Sequence, residues 1–189
     1  MNIYMAGVGG QGIGLLSEVL LRACSHAGMT VKGVDTHGLA QRGGIVVSHL
    51  RTGEDIASPM TVPGEVDLVL ALERHEALRA CIGQLRDGGA LAWYDAVWQP
   101  WDVRSGHSPE TTPEELEAEC SRRGIRALRV LEPDLPDARM QNTVLLAAVI
   151  HAGLIPGIDG ADVETAMGDL LSGGALKANL DLFRSRMSG

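Results

Sequence analysis

The chain is poor in aromatic residues, with one Phe, two Tyr and three Trp among 189 positions. That scarcity argues against a base-stacking platform for single-stranded nucleic acid. It is also poor in positive charge: 16 Lys and Arg against 24 Asp and Glu leave a formal charge of −8. A general nucleic-acid surface needs a basic footprint, so none is expected. The three cysteines, Cys24, Cys81 and Cys120, stand far apart with no CxxC pair. They give no zinc or iron–sulfur framework, and an odd, sparse count fits reduced thiols in a cytoplasmic protein. No apolar run reaches membrane-spanning length, and the opening "MNIYMAGVGG" lacks the charged start of a signal peptide. Neither an internal repeat nor a Pro- or Ser-rich linker divides the chain, so residues 1–189 are read as one domain.

What is present is an alternation of two periods. Short β-prone runs at 2–6, 30–36, 45–53, 65–73, 89–95 and 125–132 read as strands. Helical spacing covers 13–28, 74–86, 112–124, 138–153, 160–171 and 175–186, with 96–111 irregular. Thr112-Pro113-Glu114-Glu115 is a helix start with a capping box. The alternation predicts a three-layer α/β/α sandwich with a mostly parallel, mixed sheet, Rossmann-like in character. The closing helices, 160–186, are expected to pack on this domain or on a partner.

Between the first strand and first helix lies "GVGGQG", Gly7-x-Gly9-x-x-Gly12. As a dinucleotide fingerprint, Gly7 permits a tight turn, Gly9 lets the backbone approach an anion, and Gly12 lets helix and strand pack closely. Asp35 stands about where a ribose-binding acid would lie. One feature is out of place. Only "HGLAQRGG", residues 37–44, separates strands two and three. That is too short for a parallel crossover, which takes about a dozen residues or more. Strand three is therefore antiparallel to strand two or placed elsewhere, and the domain is not a standard dinucleotide-binding half. The loop is then a nucleotide site or simply a tight, well-packed turn.

The second glycine-bearing segment, "THGLAQRGG", places the Arg42 guanidinium beside Gly43 and Gly44, with Thr36 and His37 at the strand end. Such a loop suits a phosphate, a carboxylate or a partner's backbone; alternatively, Arg42 lies in solvent. In order and spacing, "GVGGQGI", "THGLAQRGGIVVSHLR", "SPMTVPGEVDLVLALERHEALR", "MQNTVLLAAVIHAGLIP" and "KANLDLF" resemble the gamma subunit of 2-oxoacid:ferredoxin oxidoreductases. Within that family the chain looks most like the small, beta subunit of the indolepyruvate branch, which His37-Gly38 fits best. The resemblance covers roughly 1–95 and 125–186.

The resemblance implies a subunit of an enzyme that oxidatively decarboxylates a 2-oxoacid to an acyl-CoA and passes electrons to ferredoxin. Thiamine diphosphate, Mg and iron–sulfur clusters are then expected in larger partner subunits, with CoA as co-substrate and no cofactor held by this chain alone. An isolated chain is expected to be inactive, and a homodimer is one expected form. The family positions carried over as a binding edge are Gly7, Gly9, Gly10, Gln11 and Gly12, together with Thr36, His37, Gln41, Arg42, Gly43 and Gly44. The two bends are expected at neighbouring strand tips. The Trp-bearing stretch 93–101 departs from the family pattern and leaves the 2-oxoacid open.

Other residues attract weaker readings. His37, His49 and His75 match no metal-ligand spacing. Ser17, Ser48 and Ser58 lack a GxSxG context. Glu73 and Glu76 sit at a helix start, where a structural role is expected. Trp93, Trp98 and Trp101 are either a surface patch for a partner or core. Two rival readings remain: a stand-alone NAD(P)- or FAD-binding oxidoreductase, and a scaffold that holds a partner through the Arg42 loop.

Overall fold

The computed structural model describes residues 1–37, 44–98, 101–107, 109–135 and 137–188. The chain opens with β1 (Asn2–Val8), α1 (Ile13–His26), β2 (Val31–His37) and β3 (Ile45–Thr52). It continues through β4 (Val66–Ala71), α2 (Arg74–Gly83), β5 (Leu85–Tyr94) and a single turn, α3 (Trp101–Arg104). Then follow α4 (Pro113–Arg122), β6 (Arg126–Val130), α5 (Gln141–His151), α6 (Gly160–Leu170) and α7 (Gly173–Met187).

The six strands form one sheet in the order β2-β3-β1-β4-β5-β6. β1, β4, β5 and β6 run parallel, whereas β3 is antiparallel to both β1 and β2. The short second loop causes this. With too few residues for a crossover, the chain can only turn back, and β3 fills the slot between β1 and β2. The tips of β1 and β2 are therefore separated by one strand, but the second bend also opens β3, where Ile45 pairs with Val8, so the two bends lie at the neighbouring tips of β1 and β3, as expected.

α1 buries Ile13, Leu16, Leu20 and Ala23 along one stripe. It stops before Gly28, whose φ of 73° suits the left-handed closing turn. α1, α5, α6 and α7 cover one sheet face, over a core that includes Ile3, Met5, Leu68, Leu70, Leu145 and Phe183. α2 and α4 cover the other, over Ala6, Val69, Ala71, Trp93 and Leu116. From Leu68 on, β4 feeds both cores with alternate residues, which explains the apolar run 68–72. The closing helices pack on this domain, α6 against α1 and α7 against α5.

Several predicted boundaries move, among them the end of α2 at Gly83 rather than 86. β5 starts at Leu85 rather than 89, because the register shifts between Val66 and Leu68. Gly89 makes room there: a Cβ on it would lie 3.0 Å from the Asp67 carbonyl oxygen. The helix expected from 138 opens as a 3-10 turn, Ala138–Met140, before α5 proper. The capping box is present, with Thr112 accepting from the Glu115 N–H and Glu115 accepting from the Thr112 N–H. Thr112→Ala should lower stability by about 1 kcal/mol, read as a lower urea midpoint with an unchanged m-value.

Candidate functional site

β1 and β4 lie side by side, but the helices that follow them cover opposite faces of the sheet. Their carboxyl ends mark the switch point where open α/β sheets form a ligand crevice. In this chain a side chain bridges the two strand ends. Gln11 is fully buried. Its Oε1 accepts from the Val8 N–H at 2.7 Å, and its Nε2 donates to the Leu72 carbonyl at 2.6 Å. The Leu72 N–H in turn donates to the Ala6 carbonyl at 2.9 Å. Gln11, expected to contact a ligand, instead points inward, because the end of β4 presents a carbonyl that only a nearby donor satisfies.

The glycines follow from this packing. A Cβ on Gly7 would lie 2.9 Å from Gln11 Oε1 and 3.0 Å from the Ile13 side chain. Gly12 caps α1 at φ 86°, and a Cβ there would lie 2.6 Å from Asn142 Nδ2. That same Nδ2 donates to the Gly12 carbonyl at 3.2 Å, tying the loop to α5. The Gly9 N–H, expected to face an anion, donates to the Gly44 carbonyl at 2.9 Å. Gly10 sits exposed at the tip, where its absent Cβ would stand 3.7 Å from Trp98 Cζ3.

The structure thus brings Gly7, Gly9, Gly10, Gln11 and Gly12 together with Gly44. Thr36 and His37 close β2, paired in register with Val47 and Val46, with β3 between them and the glycine loop. Gln41, Arg42 and Gly43 lie outside the described residues, as do the side chains of Thr36 and His37. Asp35, the candidate ribose acid, accepts from the Ser17 hydroxyl of α1 at 2.9 Å.

Further along the same edge are residues that the sequence reading missed or left as structural. Asp95 follows β5 and is buried. Burial opposes its charge, but hydrogen bonds and charge from Arg74 and Arg129 prevail and hold its carboxyl below the usual range. Glu73 follows β4 and caps α2, accepting from the Glu76 N–H at 2.9 Å. Burial pushes its carboxyl up, against backbone N–H groups of Glu76, His75 and Trp98 that favour the ionised form. His49 is buried, 2.7 Å from the Thr61 hydroxyl and edge-on to the Tyr4 ring; burial lowers its pKa. This is a cross-strand packing role.

Beside the glycine loop a groove of about 520 Å³ runs between Gly10, Gly12 and Asn142 on one side and Ala175, Ala178 and Asn179 of α7 on the other. Its guanidinium, Arg139, pairs with Asp137. Among the described residues no group of three or more His, Cys, Asp or Glu side chains could hold a metal ion. The thiols do not fit an iron–sulfur cluster: all three are buried, Cys24 in one core and Cys81 and Cys120 in the other. Nor do Glu73 and Asp95 fit a magnesium–diphosphate site, since N–H groups and guanidiniums already surround them.

A Rossmann-like sheet with one inserted antiparallel strand, its switch point bridged by a carboxamide, sets the class of this protein. The fold is that of the gamma subunit of a keto/oxoacid ferredoxin oxidoreductase from Geobacter sulfurreducens, with a TM-score of 0.68 at 18% identity over 99% of this chain and 96% of that one. It also matches part of the 2-oxoglutarate:ferredoxin oxidoreductase from Magnetococcus marinus, with a TM-score of 0.72 at 20% identity, covering 100% of this chain and 30% of that chain. In sequence, the chain is 31% identical over 187 residues to the indolepyruvate oxidoreductase subunit IorB of Methanothermobacter thermautotrophicus, covering 97% of this chain and 94% of that protein. In the IorB subunits of Archaeoglobus fulgidus and Thermococcus kodakarensis the matched stretches span 39% and 56% of the relative's length. The family model of pyruvate ferredoxin/flavodoxin oxidoreductase matches residues 2–188. The chain belongs to that family.

Two predictions follow from this geometry. Gln11→Ala leaves the Val8 N–H and the Leu72 carbonyl buried without partners, which should cost about 2–4 kcal/mol in chemical denaturation. Asp95 has a folded pKa below its unfolded value, near 3.9. Its contribution to stability is thus fully present above that value and drains as pH falls through the lower, folded one. Asp95→Asn should destabilise the protein by about 3 kcal/mol at neutral pH and flatten the acid limb of the stability curve.

Proposed function

We propose that this chain is the small subunit of an indolepyruvate-type 2-oxoacid:ferredoxin oxidoreductase. In this reading it assembles with a larger subunit that carries thiamine diphosphate, Mg and the iron–sulfur clusters. The complex decarboxylates a 2-oxoacid oxidatively, uses CoA as co-substrate and delivers electrons to ferredoxin. The observation that carries the proposal is the end-to-end match, 31% identical over 187 residues, to a subunit named for indolepyruvate oxidoreductase. The donor chemistry agrees: three buried thiols in two separate cores offer nothing with which to hold a cluster. The small subunit therefore contributes shape and contact surface, and the redox groups belong to its partner.

The stand-alone dinucleotide enzyme is disfavoured on topology. β3 occupies the place where a mononucleotide-binding half needs a parallel strand. In addition, Gln11 bridges the two strand ends where the dinucleotide would sit. Among the described residues no helix is long and apolar enough to cross a membrane, and the proposed setting is the cytoplasm, with reduced thiols.

Purification from native extract with an affinity-tagged chain tests this reading. The expected result is a brown complex that reduces a viologen dye with an aromatic 2-oxoacid and CoA, while the chain alone turns over nothing. Turnover by the isolated chain, or a tagged chain that recovers no cluster-bearing subunit, would contradict it.

A further inference from the structure

The large apolar side chains that remain exposed are not scattered evenly. Ile45, Val97, Trp98 and Leu131 are 37%, 37%, 38% and 56% exposed. Ile45 opens β3, Val97 and Trp98 follow β5, and Leu131 follows β6. All four stand at the carboxyl edge of the parallel strands, since β3 starts where β1 ends, Ile45 opposite Val8. Met60 and Val62 belong instead to the segment joining β3 to β4, and Ile82 to the last turn of α2. The carboxyl-edge residues line one rim, with the glycine loop at its middle and the Trp98 ring against Gly10.

Hydrogen bonds anchor the backbone that carries Trp98. The Trp98 backbone N–H is bound by the buried Glu73 carboxylate. The Arg74 N–H donates to the Ala96 carbonyl at 3.0 Å and the Asp95 N–H to the Val130 carbonyl at 2.8 Å. An aromatic side chain presented on fixed backbone contributes more to association than one ordered on binding.

The charges described around it bear on the kind of occupant. Arg74 and Arg129 pair with Asp95, Arg139 with Asp137, and Arg186 with Glu132. These cations are already neutralised within the chain, which disfavours a polyanionic ligand and suits an apolar protein surface. The same fold makes up 30% of a longer oxidoreductase chain. A fold that serves both as a separate chain and as part of a longer one needs a face shaped for its neighbour.

We infer that this rim, centred on Trp98, is the surface by which the chain docks onto the catalytic subunit of its oxidoreductase. The inference rests on the proposed function and names the face that performs it. It is tested by measuring association of the full-length chain with the purified catalytic subunit, using wild type, Trp98→Ala, Leu131→Asp and, away from the rim, Ile82→Ala. Circular dichroism and thermal melts establish that each variant is folded. Trp98→Ala and Leu131→Asp should each weaken association by about tenfold or more, with Ile82→Ala within about twofold of wild type. A wild-type complex whose affinity neither rim variant changes would overturn this inference and leave the proposed function standing. A wild-type chain that binds no catalytic subunit would overturn both. Trp98-dependent self-association in place of the mixed complex would assign the rim to a second copy, again overturning the inference.

Discussion

One carboxamide sets the character of this molecule. Gln11 joins the end of β1 to the end of β4 at the place where an open α/β sheet usually splits to admit a ligand. The carboxamide carries an acceptor for Val8 and a donor for Leu72 in one uncharged group; Asn would do the same but is one methylene shorter. Gly7 must lack a side chain because Gln11 and Ile13 fill the space. Gly12 must lack one because Asn142 does. In this fold, part of a motif that reads as a phosphate cradle joins two strand ends as a seam.

The seam has a second stitch in the hydrogen bond from Gly9 to Gly44. It ties the first glycine loop to the start of β3, and so to the end of the second loop. The inserted strand and this stitch are one arrangement: once β3 lies beside β1, the carbonyl of Gly44 just before it is at hand for the Gly9 N–H. Among the described residues, the cations along this carboxyl edge are paired within the chain.

Much of the fold was legible in the sequence because its causes are local. The α1 stripe, the Thr112 capping box and the apolar run of β4 each sit within a few residues. The antiparallel β3 was legible as one of two courses, since a length argument on residues 37–44 excludes a parallel crossover but leaves the strand's place in the sheet open. The site was legible only in part. Gln11 looked like a ligand contact because the carbonyl that captures it lies 61 residues away. The Asp95 cluster was invisible for the same reason, its hydrogen bonds spanning 21 and 34 residues to Arg74 and Arg129. Trp93 and Trp98 could not be told apart by composition; strand pleat sends the first into a core, and the end of β5 leaves the second on the rim.

The most direct test of the seam is residue-resolved hydrogen exchange of the Val8 and Gly9 amides in the isolated chain, with and without NADH or FAD. The account predicts slow exchange at both positions, at rates the dinucleotides leave unchanged. Rapid exchange that becomes protected when a dinucleotide is added would show an open crevice with a ligand in it, and would contradict the account.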